Sequence, residues 1–329
     1  MQDLPLGWQS WSPIQKDIFR LPYWDYCPIQ VPKFTKPSSI STKKPGISLW
    51  CSWHSNGTNI NEGLILSQAH KFKNHKYVPE HILLDDGWCH LGDWGKPSSN
   101  KFPHWLDMLK ELNNLDYKTG LWISPFMVDK KSALFQTHPD WIVKRDGKPL
   151  NVFASYPFFK DLTPKYLLDF TNPQAVEYLY HCFDNIISNW GVSLLKIDHL
   201  YAPYFAVDPK MATRASQAIV DLFGYLKTKY PYVYTIACGC PFDVASGLVD
   251  AVRISKDINS PQLKTLYPLH YLLYLKRKRL LESKLKISST LNLPFGIDPD
   301  AVINEKDAEN YHNLWKSGKI DVFGLGYNL

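Results

Sequence analysis

The chain has 329 residues, 45% of them hydrophobic and 21% charged, which fits one large globular domain and leaves room for a single barrel of about 250 residues. The formal charge of +6, from 37 Lys and Arg against 31 Asp and Glu, is mild and spread along the chain, so it marks no nucleic-acid surface. The sequence holds no apolar run as long as the roughly 18 residues of a membrane span.

Residues 1–45 read as an irregular lead-in punctuated by proline, with Trp8, Trp11, Phe19, Tyr23, Trp24 and Tyr26 supplying aromatic surface. Residues 46–329 read as a barrel. Short apolar runs predict strands at 46–53, 81–86, 119–126, 193–200, 233–240, 251–257, 288–298 and 319–326. Most are continuously apolar, as in parallel strands covered on both faces. Amphipathic stretches at 103–115, 173–190 and 211–229 predict helices between them, the last two opened by Asn172-Pro173 and Asp208-Pro209 as N-cap and first-turn signals. Eight strands alternating with helices predict an α/β fold, a closed (β/α)8 barrel rather than an open doubly wound sheet. The stretch 128–170 is long and rich in Pro, Phe and Lys without an obvious complete helix, and such a loop after a barrel strand is more often functional than idle. The stretch 241–250 is too short for a crossover helix. With Leu329 following the eighth strand directly, the last outer helix is expected to be missing. The lead-in, self-association or a partner chain would then cover the apolar faces of strands eight and one.

No strand is followed by a Gly-rich phosphate loop, which weighs against a nucleotide enzyme. The basic run Lys276-Arg277-Lys278-Arg279 sits among leucines at helical spacing and reads as the solvated face of an outer helix. The six cysteines form no C-x-x-C pair, and several sit in apolar runs, which implies a reducing compartment. The N-terminal residues show no basic start followed by an apolar stretch, so no signal peptide is visible, and a cytoplasmic protein is expected. The 12 Trp, 19 Tyr and 16 Phe tilt the reading slightly toward carbohydrate, since flat rings stack on the apolar faces of sugars and also fill ordinary cores.

A parallel barrel carries its site at the C-terminal ends of the strands. There the sequence places Trp53; Asp85, Asp86 and Trp88; Trp122 and Ser124; Lys196 and Asp198; Cys238 and Cys240; Arg253 and Asp257; Asp298 and Asp300. Strand alternation puts Lys196 and Asp198 on one face, and an ammonium beside a carboxylate keeps the acid ionised, as a nucleophile requires. The same alternation aligns Arg253, Ser255 and Asp257. Taken singly, each pair could equally be a structural ion pair. Taken together, two carboxylates on different strands of one barrel suit glycoside hydrolysis, in which one attacks the anomeric carbon and the other protonates the leaving oxygen and then activates water.

The motifs that carry a resemblance run in order along most of the chain. They are Gly7-Trp8-Gln9-Ser10-Trp11-Ser12-Pro13, Trp50-Cys51-Ser52-Trp53, Leu84-Asp85-Asp86-Gly87-Trp88, Gly120-Leu121-Trp122-Ile123-Ser124-Pro125-Phe126, and His138-Pro139-Asp140-Trp141. Then follow Leu168-Asp169-Phe170-Thr171-Asn172-Pro173, Leu195-Lys196-Ile197-Asp198, Cys238-Gly239-Cys240-Pro241, the run from Gly247 to Asp257, and Asp298-Pro299-Asp300. This series resembles the catalytic barrel of glycoside hydrolase family 36, the α-galactosidases that share a clan with family 27. The resemblance implies a retaining α-galactosidase with Asp198 as nucleophile, Asp257 as acid/base, and Lys196 and Arg253 as sugar contacts. It implies that Asp85 and Asp86 accept bonds from the galactose 4- and 6-hydroxyls, with Gly87 allowing the turn that brings both to the sugar. Trp53, Trp122 and Cys238 match pocket-lining positions. No metal or organic cofactor is expected, because the two carboxylates supply the proton and nucleophile chemistry. The expected partner is an α-galactoside. The 329 residues are expected to hold none of the family's accessory β-domains, and they depart from its pattern in having His199 after the nucleophile and Ile297 before Asp298. His199 is read as pointing away from the sugar, either supporting the site residues from behind or packing. A transglycosylase of the raffinose-synthase kind and a non-catalytic or split sugar-binding barrel remain alternatives.

Overall fold

The computed structural model describes residues 44–152, 164–206, 209–245, 247–253, 295–296, 302 and 305–329. The lead-in lies outside them except for its last two residues. Eight strands form the barrel: β1 Ile47–Cys51, β2 His81–Leu84, β3 Lys118–Ile123, β4 Leu194–Ile197, β5 Tyr234–Ala237, β6 Ala251–Arg253, β7 Phe295–Gly296 and β8 Val322–Leu325. Each pairs in parallel with its neighbour in sequence, and β8 closes on β1. The (β/α)8 barrel expected from the strand pattern is therefore present. All four residues of β2, β4 and β5 are buried, which is why these strands read as unbroken apolar runs.

Outside the barrel lie α1 Glu62–Phe72, α2 Trp105–Asn114, α3 Pro173–Asp184, α4 Pro209–Lys229 and α5 Glu305–Lys316. Asn61 caps α1 by accepting from Leu64 N–H at 2.9 Å. Asn172 does the same for α3, accepting from Gln174 N–H at 2.9 Å with Pro173 in the first turn. The predicted helix over 173–190 changes hand-off at its end: the α-helix stops at Asp184 and a π-turn, Asn185–Asn189, completes it. Between β5 and β6 the described residues form the turn Phe242–Ala245, in keeping with the short spacing. The long stretch after β3 carries an antiparallel ribbon, Met127–Asp129 against Lys165–Leu167, and the five-residue helix Ala133–Thr137.

Alternation divides the side chains. Ile47, Leu49, Cys51, Leu83, Leu194, Tyr234, Ile236, Cys238, Ala251 and Val322 fill the lumen. Trp50, Ile82, Leu84, Leu121, Leu195 and Ile197 face the helices. At the N-terminal end of β5 and β6, buried Asp250 accepts from Thr235 N–H at 2.7 Å, from Lys44 at 3.3 Å and from Lys227, tying both strands to α4. Among the described residues no helix is long and apolar enough to cross a membrane.

Candidate active site

The charged side chains of the barrel collect where the strands end. Strand alternation brings Cys51, Asp85, Trp122, Lys196 and Asp198 to the inner face. Asp85 follows β2, and its carboxylate is saturated. Oδ2 accepts from Lys196 Nζ at 2.7 Å and from Cys51 Sγ at 3.2 Å, and Oδ1 accepts from Asp86 N–H at 2.8 Å. Ser52 Oγ accepts from the Asp85 N–H at 2.9 Å. The Lys196 and Asp85 side chains are 2% and 3% exposed, so this is a buried ion pair whose charges must compensate each other. The sequence pattern paired Lys196 with Asp198. In three dimensions the ammonium bonds Asp85, and it acts on Asp198 through its charge.

Asp86 sits differently. The chain turns at Gly87, whose φ of +111° puts it in the region that favours glycine, and a Cβ there would lie 2.5 Å from Thr58 O. This turn lets two consecutive aspartates reach the upper end of the barrel. The Asp86 carboxylate is held by the backbone N–H of Gly87, with no donor from another strand among the described residues. Burial, then the neighbouring charge of Asp85, raise its pKa from 3.8 to about 6, against the opposing pull of Lys165 and Lys101.

Asp198 follows β4 and is buried. Trp122 Nε1 donates to Oδ2 at 3.0 Å, His199 N–H donates to Oδ1 at 2.7 Å, and Arg253 Nη2 lies 3.9 Å from Oδ1. Burial pushes this pKa up. The charges of His199, Arg253 and Lys196 and the Trp122 hydrogen bond outweigh it and hold the acid well below the ordinary carboxylate range. A carboxylate so supported is ionised at any physiological pH and has the character of a nucleophile.

Of the remaining expected residues, Arg253 ends β6, and Cys238, just past β5, is buried with its N–H donating to Ile197 O at 2.8 Å. Trp53 opens a four-residue helical turn rather than ending β1, and it packs against the lumen cluster. Asp257, Asp298 and Asp300 lie outside the described residues. Two site residues escaped the sequence reading. Cys51 bonds Asp85, and its place after Ile47 and Leu49 on the inward face of β1 was the available signal. His199, expected to support the site from behind or to pack, contacts Asp198 and Ser124, which the sequence did not name as its partners. Strand alternation does not reach it, because β4 ends at Ile197 and φ at His199 is +53°. Among the described residues no three His, Cys, Asp or Glu side chains group as a metal site would need.

A closed parallel barrel with its buried acids and bases at the C-terminal strand ends is the architecture of a (β/α)8 enzyme. The chain belongs to the melibiase family, whose model matches residues 33–251. It is 27% identical over 208 residues to a probable α-galactosidase C of Aspergillus terreus, covering 57% of this chain and 26% of the relative. It is 28% identical over 207 residues to α-galactosidase 2 of Hypocrea jecorina, with the same coverage of 57% and 26%. The chain thus spans about a quarter of the length of these curated relatives. In structure it resembles the α-galactosidase of Thermus thermophilus solved with p-nitrophenyl α-D-galactopyranoside, with a TM-score of 0.54 and 29% identity over 65% of this chain and 42% of that one.

Proposed function

We propose that this chain is the catalytic barrel of a retaining α-galactosidase of the glycoside hydrolase family 36 type, releasing terminal non-reducing α-galactosyl residues through a covalent glycosyl-enzyme. The observation that carries the reading is the buried Asp198 carboxylate, held ionised by two N–H donors at 3.0 and 2.7 Å and by the charge of Arg253. Asp198 attacks the anomeric carbon, Asp257 protonates the leaving oxygen, and the same Asp257 then takes a proton from the water that opens the intermediate. The likeness to α-galactosidases supports the choice of sugar.

Galactose differs from glucose in its axial 4-hydroxyl, so selectivity needs a directional acceptor. In this reading Asp86 supplies it with a carboxylate that no other strand's side chain occupies, and the Asp85–Lys196 pair, rigid because it is buried, presents charged groups beside it. Trp53, Trp122, Cys238 and Arg253 line the sugar site. A cytoplasmic setting agrees with cysteines whose spacing suits no disulfide framework.

The test is turnover of p-nitrophenyl α-galactoside by the purified chain, beside the α-glucoside and the α-N-acetylgalactosaminide. We expect the galactoside to be cleaved, with α-galactose as the first product by NMR, and Asp198→Ala to abolish it. Failure to cleave any of the three, or cleavage untouched by Asp198→Ala, would end the assignment.

A further inference from the structure

We infer that His199 is a positioning residue for Asp198, gripping the carboxylate through its own backbone and through Trp122. The inference rests on Asp198 being the nucleophile. The φ of His199 is +53°, a left-handed conformation that a non-glycine residue keeps only when its surroundings hold it there. Several contacts do so. The His199 C=O accepts from Ala202 N–H at 2.8 Å, opening the turn Ala202–Phe205. Its Nδ1 lies 3.0 Å from Oγ of Ser124, a buried residue just past β3. Its ring stands edge-on to Trp122 at 5.7 Å and to Tyr201 at 5.6 Å. The Tyr201 ring is packed in turn against Gly239, where a Cβ would approach Cδ1 to 2.7 Å.

The consequence is a two-point grip. The His199 N–H donates to Asp198 Oδ1, 2.7 Å away, and the left-handed conformation that follows turns the chain so that the imidazole lies beside Trp122 and Ser124. The imidazole braces Trp122, the indole that holds Oδ2 at 3.0 Å. An extended residue at this position would continue the strand direction and lose the turn that brings the ring to Trp122 and Ser124. His199 thus bonds one oxygen of Asp198 directly and packs against the ring that bonds the other. A displacement of about 1 Å in a nucleophile costs on the order of a hundredfold in rate.

The experiment compares His199→Val, His199→Gly, His199→Asn and Ser124→Ala in the full chain, reading kcat/KM on p-nitrophenyl α-galactoside and the inhibition constant of galactose. Val resists the left-handed conformation, Gly permits it without a ring, and Asn permits it with a polar side chain. We expect Val to lower kcat/KM by about thirtyfold or more with galactose binding within about threefold, since only nucleophile placement is lost. Asn should recover at least about tenfold over Val, and Ser124→Ala should lower kcat/KM by about three- to tenfold at unchanged galactose binding. Equal losses in Val and Asn, or galactose binding that falls in step with kcat/KM, would reduce His199 to a structural residue. If the Val protein does not fold, Gly and Ser124→Ala carry the test, and both must lose kcat/KM while keeping galactose affinity. Turnover that is uniform across the variants overturns the positioning alone. No turnover by the unsubstituted chain overturns the functional reading and this inference with it.

Discussion

Asp86→Asn should make the protein more stable and less active. The Asp86 carboxyl is partly buried beside the Asp85 charge, and its pKa rises from 3.8 to about 6 on folding. Between these values the native state binds more protons than the unfolded chain, so stability falls as pH rises through this window and is flat above it. Two pKa units correspond to about 3 kcal/mol, and with partial solvent screening we expect about 1–3 kcal/mol at pH 8. The asparagine removes the charge and the loss with it, so the gain over the unsubstituted protein should be near zero at pH 4 and reach its full size by pH 7. Urea unfolding of both proteins at pH 4, 6 and 8 measures this. Turnover of p-nitrophenyl α-galactoside should fall by about one to two orders of magnitude, because a hydrogen bond to a charged group contributes about 1.5–3 kcal/mol. An asparagine variant that is less stable at pH 8, or whose stability difference does not change with pH, would refute the account of Asp86 as a buried, charge-crowded acceptor.

The neighbouring aspartate should behave in the opposite way. Asp85→Asn strips the carboxylate from the buried Lys196 ammonium and should cost about 3–5 kcal/mol in urea unfolding, with no gain at any pH between 5 and 8. Gly87→Ala must relieve a φ of +111° and a Cβ 2.5 Å from Thr58 O. A loss of about 2–4 kcal/mol by thermal or urea unfolding is expected, together with lower activity, because the turn that presents Asp86 cannot form. Azide should rescue Asp198→Ala to give β-galactosyl azide, entering from the face the carboxylate occupied. With Asp257→Ala it should give the α-azide by opening the intermediate. NMR of the products distinguishes them, and exchanged products would exchange the two roles.

The eight strands were readable because a strand covered on both faces must be apolar throughout, and β2, β4 and β5 are buried at every position. The candidate site was readable for the converse reason. Asp85, Lys196, Asp198 and Arg253 are charges set at the ends of runs that otherwise contain almost none. Strand alternation also placed Lys196 and Asp198 correctly on one face. The helix end at Asp184 and the short helix Ala133–Thr137 were not readable, since both depend on packing rather than on local pattern.

What the sequence by itself determined is that Asp85, Lys196, Asp198 and Arg253 fall at strand ends of one barrel, because period and polarity are properties of a single stretch of chain. Which of them pair was decided only in three dimensions. Lys196 bonds Asp85 across 111 residues, Trp122 holds Asp198 across 76, and Cys51 reaches Asp85 across 34. The contrast between Asp85 and Asp86 arises in the same way. Adjacent in sequence and identical in kind, one takes donors from other strands and the other is held only by the neighbouring Gly87 backbone among the described residues. Protonation follows the local dielectric and the nearest charges, which are set by through-space distance, and the left-handed turn at His199 likewise exists only where Ser124, Trp122 and Tyr201 converge to hold it.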